Sequence, residues 1–258
     1  MNFLKKIIYC NVIPAIGACL RGKNKFINVI YYHDIVDGEG MSFMKTPIEL
    51  YKQQMEFIAR KGLKTYTFDE LTHPKCQQQR KGGILITFDD GWESNYSMIF
   101  NFMKSLGLKY NIFLAVEKIG VDPDYLTWEQ VREMHQSGIV GFGAHTFTHC
   151  NMESLDGIDL DQEIHHANDI IKENLGIEAK DFCFPYGAYS SASIDSIIAE
   201  NVYDRIYTSD LDYTADRDGV IIFGRNGISC NESMAVFKHK LNGNYNVFNT
   251  LTHPCRNH

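Results

Sequence analysis

Ile84-Leu85-Ile86-Thr87-Phe88-Asp89-Asp90-Gly91 is the stretch on which the fold turns. Five apolar or β-branched residues in a row read as a buried strand, and that strand runs directly into two carboxylates and a glycine. The same order recurs along the chain. Residues 27–32 run into His33-Asp34, residues 139–143 into Ala144-His145-Thr146-Phe147-Thr148-His149, and residues 181–184 into Pro185-Tyr186-Gly187. Residues 110–116, 205–208 and 220–223 are further strand-like runs, making seven in all.

Helical patterns lie between them. Pro47 opens one through residue 60, with Leu50, Gln54, Phe57 and Ile58 in helical spacing and Gly62 as its stop. Residues 94–106 form another, ended by Gly107. Thr127 is placed to cap residues 128–136, with Gln130 completing a capping box and Gly138 following. Residues 160–175, stopped by Gly176, and residues 193–200 complete the series. Strands alternating with helices indicate a parallel α/β fold. Seven strands in this length fit an irregular (β/α) barrel better than a two-layer sheet. In such a barrel the C-terminal ends of all strands share one face, and active sites are built there.

The composition fits this reading. The chain has 258 residues, 44% hydrophobic and 22% charged, which excludes wholesale disorder. With 25 Lys plus Arg against 32 Asp plus Glu, the net charge is −7, and without a basic run nucleic acid is not an expected partner. No apolar run reaches the ~18–20 residues of a transmembrane helix. The 7 cysteines are scattered without a C-x-x-C pair, so neither a zinc finger nor a thioredoxin-like site is indicated. Residues 26–242 are expected to form one domain and residues 243–258 a C-terminal tail. Residues 1–25 carry Lys5-Lys6, an apolar run from Ile7 to Leu20, then Arg21 and Lys23. Three readings stay open for them: a secretory signal, a lipoprotein anchor on Cys19, or an amphipathic segment on a membrane surface or on the domain.

Taken singly, each polar cluster has a plain reading. Asp89-Asp90 can be an acidic turn, His145 and His149 a surface pair, Pro185-Tyr186-Gly187 a simple turn, and His33 a hydrogen-bonded histidine at a strand end. Together, at the same ends of four strands, they have a chemical one. Adjacent carboxylates repel and favour a cation nearby. Two imidazoles four residues apart with one carboxylate form a known ligand set for zinc or iron, with positions left for water and substrate. His165-His166, adjacent on a helix, receive no role.

These motifs resemble those of the polysaccharide deacetylases (carbohydrate esterase family 4, the NodB-homology domain). The resemblance rests on Thr87-Phe88-Asp89-Asp90-Gly91, His145-Thr146-Phe147-Thr148-His149 and Phe184-Pro185-Tyr186-Gly187, in the family's order, and extends from about Ile27 to Ser229. Tyr31-Tyr32-His33 and Leu126-Thr127-Trp128 resemble the poly-N-acetylglucosamine deacetylase branch, whose barrel is circularly permuted.

The resemblance implies a divalent metal on Asp90, His145 and His149, most often zinc, with cobalt and nickel as alternatives. It implies Asp89 as general base, the Tyr186 backbone N–H as an oxyanion donor, and N-acetylated glycan as substrate. The family's usual late histidine acid has two candidates here. His33 matches the early position of the permuted branch, and His253 lies where an unpermuted chain would place it; His33 is favoured because it follows a good strand. Pro185, Trp92 and Arg225 are expected at the substrate, Trp92 as a sugar-stacking face and Arg225 either there or orienting Asp89. The resemblance implies a place in the cell envelope or outside the cell, lipid-anchored if Cys19 is used, with a cytoplasmic or membrane-peripheral location as the alternative. Two other functions stay open: a small-molecule amide or imide hydrolase on the same barrel, and a non-catalytic glycan-binding relative.

Overall fold

The computed structural model describes residues 8–20, 27–71, 83–211 and 215–245. Its strands are β1 (Asn28–Tyr32), β2 (Asp34–Val36), β3 (Lys45–Pro47), β4 (Ile84–Phe88), β5 (Tyr110–Leu114), β6 (Val140–Ala144), β7 (Asp181–Cys183), β8 (Arg205–Tyr207), β9 (Ala215–Arg217), β10 (Val220–Phe223) and β11 (Asn226–Gly227). Nine of them form one sheet in the order β11-β1-β4-β5-β6-β7-β8-β10-β9. Neighbours in it run parallel except β9, which is antiparallel to β10.

The chain itself closes the ring. β10 pairs with β8, and three residues after Phe223 the same chain pairs with β1, Asn226 opposite Ile30 and Gly227 opposite Tyr31. One kinked strand thus bridges the two ends of the sheet. The seven expected strands are β1, β4, β5, β6, β7, β8 and β10, and the fold is the irregular barrel expected from their alternation with helices.

The period of two along each strand sorts the side chains. Ile84, Ile86 and Phe88, Tyr110, Ile112 and Leu114, and Val140 and Phe142 point outward into the layer of helices. Val29, Leu85, Phe113, Cys183, Tyr207 and Phe223 form the interior cluster. At one end of that interior Arg205 pairs with Asp181 through two 2.6 Å hydrogen bonds, and the Tyr207 hydroxyl donates to the same carboxylate. The inward phase, carried two residues further along the chain at the other end, reaches His33, Asp89 and His145. The barrel therefore aims these three side chains at its mouth.

The helix Trp128–Gln136 has the expected boundaries and capping box. The expected helix over 94–106 is two pieces, Ser94–Ser97 and Phe100–Leu106. Ile99 and Phe100 are both buried; a continuous helix would turn adjacent residues ~100° apart. The helix expected from 160 opens with a π-turn, Asp161–His166, before Ala167–Leu175. Helix Met234–Leu241, capped by the Ser233 side chain, and the short β2, β3, β9 and β11 were not expected, being too brief for a periodic signal. Asn244 and Tyr245, in the expected tail, are buried, and Tyr245 packs against Ile13.

Candidate active site

Asp89, Asp90, His145, His149, His33, Tyr31, Tyr186, Gly187, Ser209, Phe43 and Met44 line a cavity of about 290 Å³ at the barrel mouth. All three expected metal ligands and the three expected catalytic positions reach it. His253 lies outside the described residues.

Asp90 stands out of phase with its strand and returns to the mouth through a left-handed backbone, φ 76°. Thr146, His149 and Tyr186 also have positive φ, at 61°, 63° and 59°. Non-glycine residues avoid this region, and its concentration here marks a site whose surroundings hold a strained backbone in place. Gly187 follows Tyr186 at φ 61°, where a Cβ would come 2.7 Å from the Ser209 side chain.

Asp90 Oδ1 lies 3.1 Å from His149 Nε2 and 3.4 Å from His145 Nε2. His145 Nδ1 is 2.7 Å from the Cys183 carbonyl, which can only accept, so Nδ1 carries the hydrogen and Nε2 keeps its lone pair for the pocket. Lone pairs facing a carboxylate oxygen need either two protons or one cation between them. The proton solution makes two imidazolium rings with centroids 4.9 Å apart, which repel. The cation solution fits the spacing: ligands at ~2.0–2.1 Å from a tetrahedral centre sit about 3.4 Å from one another. The residues present therefore suit a divalent cation. Burial works to raise the Asp90 carboxyl, but the two histidines outweigh it and hold it well below the usual carboxylate range.

Asp89, His145 and Cys183 also lie close enough to share an ion, but a guanidinium already serves that corner. Arg225 donates to both Asp89 oxygens, 2.7 Å and 2.8 Å, and to Cys183 Sγ at 2.9 Å. Burial pushes the Cys183 thiol up, away from the thiolate a metal requires. Burial also acts to raise Asp89, yet Arg225 overrides it and leaves the carboxyl below its ordinary value.

His33 donates through Nδ1 to the Phe43 carbonyl at 3.0 Å, which turns Nε2 toward the pocket, 3.9 Å from Asp89 Oδ2. Its own carbonyl accepts from Asn95 at 3.1 Å. The Tyr186 N–H has no hydrogen-bond partner among the described residues, and its ring, 72% exposed, meets His149 edge-on at 4.6 Å.

Trp92 and Pro185, expected at the substrate, and Arg225, expected there or orienting Asp89, are not among the residues lining the cavity. Arg225 is fully buried, stacked 4.4 Å from the Tyr31 ring, and acts on Asp89. Trp92 stacks one face on Tyr125 at 4.6 Å and donates its indole N–H to Asp90 Oδ2 at 2.9 Å, so it steadies a ligand. Pro185 is buried beneath the exposed Tyr186. Glu163 had no signal in the sequence. From the π-turn it accepts the Phe147 and Thr148 N–H groups, each at 3.0 Å, and the Thr148 hydroxyl at 2.8 Å, which pins the loop between the two histidines. Phe43 and Met44 were likewise missed, because a loop lining a pocket has no periodicity.

The polysaccharide deacetylase family model matches residues 76–202. The Bacillus subtilis (strain 168) protein YxkH, which bears the name of a polysaccharide deacetylase, is 26% identical over 168 residues. That match covers 64% of this chain and 58% of YxkH, so the chain spans little more than half of that relative's length. In structure the chain is similar to the Streptococcus pyogenes deacetylase PplD in complex with acetate, with a TM-score of 0.74 at 20% identity over 84% of this chain and 99% of that one. It is also similar to a de-N-acetylase from Aggregatibacter actinomycetemcomitans, with a TM-score of 0.68 at 17% identity over 83% and 99%. At these identities the two structures speak for the fold. Motifs, family model and barrel agree: residues 76–202 match the polysaccharide deacetylase family, and the chain is similar in fold to deacetylases.

Proposed function

We propose that the protein is a metal-dependent hydrolase that removes acetyl groups from the amines of an N-acetylated amino-sugar glycan, of the poly-N-acetylglucosamine type. The observation that carries this is the meeting of a two-histidine, one-carboxylate ligand set with a second carboxylate and a third histidine around one cavity. Two similar structures support the substrate bond: one is of a de-N-acetylase, and another was solved with acetate, the acyl product of such a reaction.

Asp90, His145 and His149 would hold the ion, with zinc the best match to the donor set. Loaded, such a site supplies an acidified water and a Lewis acid at neutral pH. Asp89 accepts the proton of the attacking water. Arg225 fixes the carboxylate's orientation and keeps it ionised, so its oxygens carry no proton of their own when the water's arrives. The Tyr186 N–H, held outward by its left-handed backbone, donates to the carbonyl oxygen as negative charge develops on it. His33, when protonated, presents Nε2–H to the departing amine, while its Nδ1–H stays on the Phe43 carbonyl and fixes the ring. The products are acetate and a free amine, cationic near neutral pH.

Acetate release from a panel of N- and O-acetylated sugar oligomers, with and without chelator, tests the proposal. It requires turnover of the N-acetylated oligomers that chelator abolishes and a divalent ion restores. Loaded enzyme that leaves every glycan untouched would refute it.

A further inference from the structure

We propose that Tyr31 is a positioning residue of the centre, a single ring that covers the Arg225–Asp89 pair and braces the His33 imidazole, so that one side chain holds both the base and the acid. The roles of Asp89 and His33 rest on the proposed deacetylase reading; the contacts of Tyr31 do not.

Strand β1 delivers the ring. Val29, Tyr31 and His33 share its inward phase, Val29 in the barrel interior and the other two at the cavity. Parallel pairing sets Gly227 of β11 opposite Tyr31. A Cβ at Gly227 would stand 2.6 Å from both Cζ and the hydroxyl oxygen of Tyr31. The ring therefore fills the room that this glycine leaves, and closure of the barrel fixes where it lies. A hydrogen bond joins its hydroxyl to the side chain of Ser209, another residue of the cavity wall.

The face of the ring meets the base's partner, with Arg225 Cζ 4.4 Å from its centre. The edges of that guanidinium are already engaged. Nε donates to the Thr208 carbonyl at 2.9 Å, Nη1 to Thr87 Oγ1 at 3.3 Å and to Asp89, and Nη2 to Asp89 and Cys183. Hydrogen bonds in its plane do nothing to cover its faces, and Tyr31 takes the one toward the cavity. Arg225 is thus fully buried although Asp89, which it holds, lines the cavity. Water admitted at that face would weaken the attraction between guanidinium and carboxylate. The ring keeps it out and adds a desolvated cation–π contact.

The acid is met edge-on, the Tyr31 and His33 rings 5.7 Å apart at 76°. The Phe43 carbonyl fixes His33 at Nδ1 alone, and one hydrogen bond lets an imidazole tilt about that atom. Tyr31 blocks the tilt on its side and keeps Nε2 facing Asp89 Oδ2 at 3.9 Å. The expected metal ligands are steadied by other groups, Asp90 by Trp92, His145 by the Cys183 carbonyl and the loop of His149 by Glu163.

Tyr31→Leu separates these roles. Its kcat on 4-nitrophenyl acetate, which needs the base but no acid, should fall about tenfold. On N-acetylated sugar oligomers it should fall further, with KM unchanged on both substrates and zinc uptake as in the wild type. The Arg225 Nη–H signals in NMR should exchange with water faster, at an unchanged urea midpoint of unfolding. Tyr31→Phe, which keeps the ring, should restore most of both rates. Should Tyr31→Leu not fold, Gly227→Ala, which displaces the ring without removing it, should show the same losses. Wild-type kcat in either variant overturns the proposal, as does unchanged Arg225 exchange. A raised KM at normal kcat would make Tyr31 a substrate contact instead, and equal losses on the two substrates would remove its hold on the acid; either result overturns it. A loaded wild type that cleaves neither substrate refutes the deacetylase reading alone, and Arg225 exchange still decides whether Tyr31 covers the pair.

Discussion

Arg225 grips both oxygens of Asp89, Nη1 at 2.7 Å from Oδ1 and Nη2 at 2.8 Å from Oδ2, with both side chains withdrawn from solvent. The fork fits the carboxylate's geometry and sets its plane. Charge makes the pairing strict, because either partner left alone would be a buried, uncompensated ion.

Arg225→Met should therefore cost about 3–5 kcal/mol of stability, the scale for breaking a buried pair, and should lower kcat sharply. Urea midpoints measure the first effect. Adding Asp89→Asn to the same chain should recover part of the stability and none of the activity.

Acid should remove this stabilisation in a defined direction. Asp89 and Asp90 both titrate below their ordinary value in the folded chain, whereas an unfolded aspartate does so near ~3.9. Their contribution is fully present above that pH and is lost as pH falls toward the lower folded values. The stability gap between wild type and Arg225→Met should close below pH ~4, as measured by denaturant unfolding across that range.

His33 can be separated from Asp89 by leaving group. An amine must be protonated to depart; a nitrophenolate need not be. His33→Gln should lower deacetylation of an N-acetylated sugar by ~10²–10⁴ while sparing hydrolysis of 4-nitrophenyl acetate. Equal losses on both substrates would contradict its role as acid.

Trp92→Phe and Glu163→Gln act on the ligands from behind. The first removes the N–H that steadies Asp90 and keeps the stack on Tyr125; the second weakens the acceptor that pins the loop of His145 and His149. Each should weaken metal binding by about 10–100-fold, the scale for such supporting groups, in a chelator competition.

The barrel was legible because its strands are buried on both sides and read as short apolar runs, and because strand and helix alternate. The site was legible where it continues a strand's inward phase, as His33, Asp89 and His145 do. What lay hidden depends on contacts between distant segments. Trp92 shows its role behind Asp90 only once Tyr125 takes one of its faces and Asp90 its N–H. Arg225, 136 residues from Asp89, shows its partner only once β10 and β11 close the ring. Glu163 looks like any helical glutamate, and only the π-turn aims it at the histidine loop.

A divalent cation held by Asp90, His145 and His149 underlies the proposed chemistry. Titration of the chelator-stripped protein with zinc, followed by calorimetry, tests it most directly. One ion per chain is expected for the wild type, with binding abolished or severely weakened in His145→Ala and His149→Ala while the fold survives. A wild-type chain that takes up no ion, or variants that bind as tightly as it does, would contradict the account.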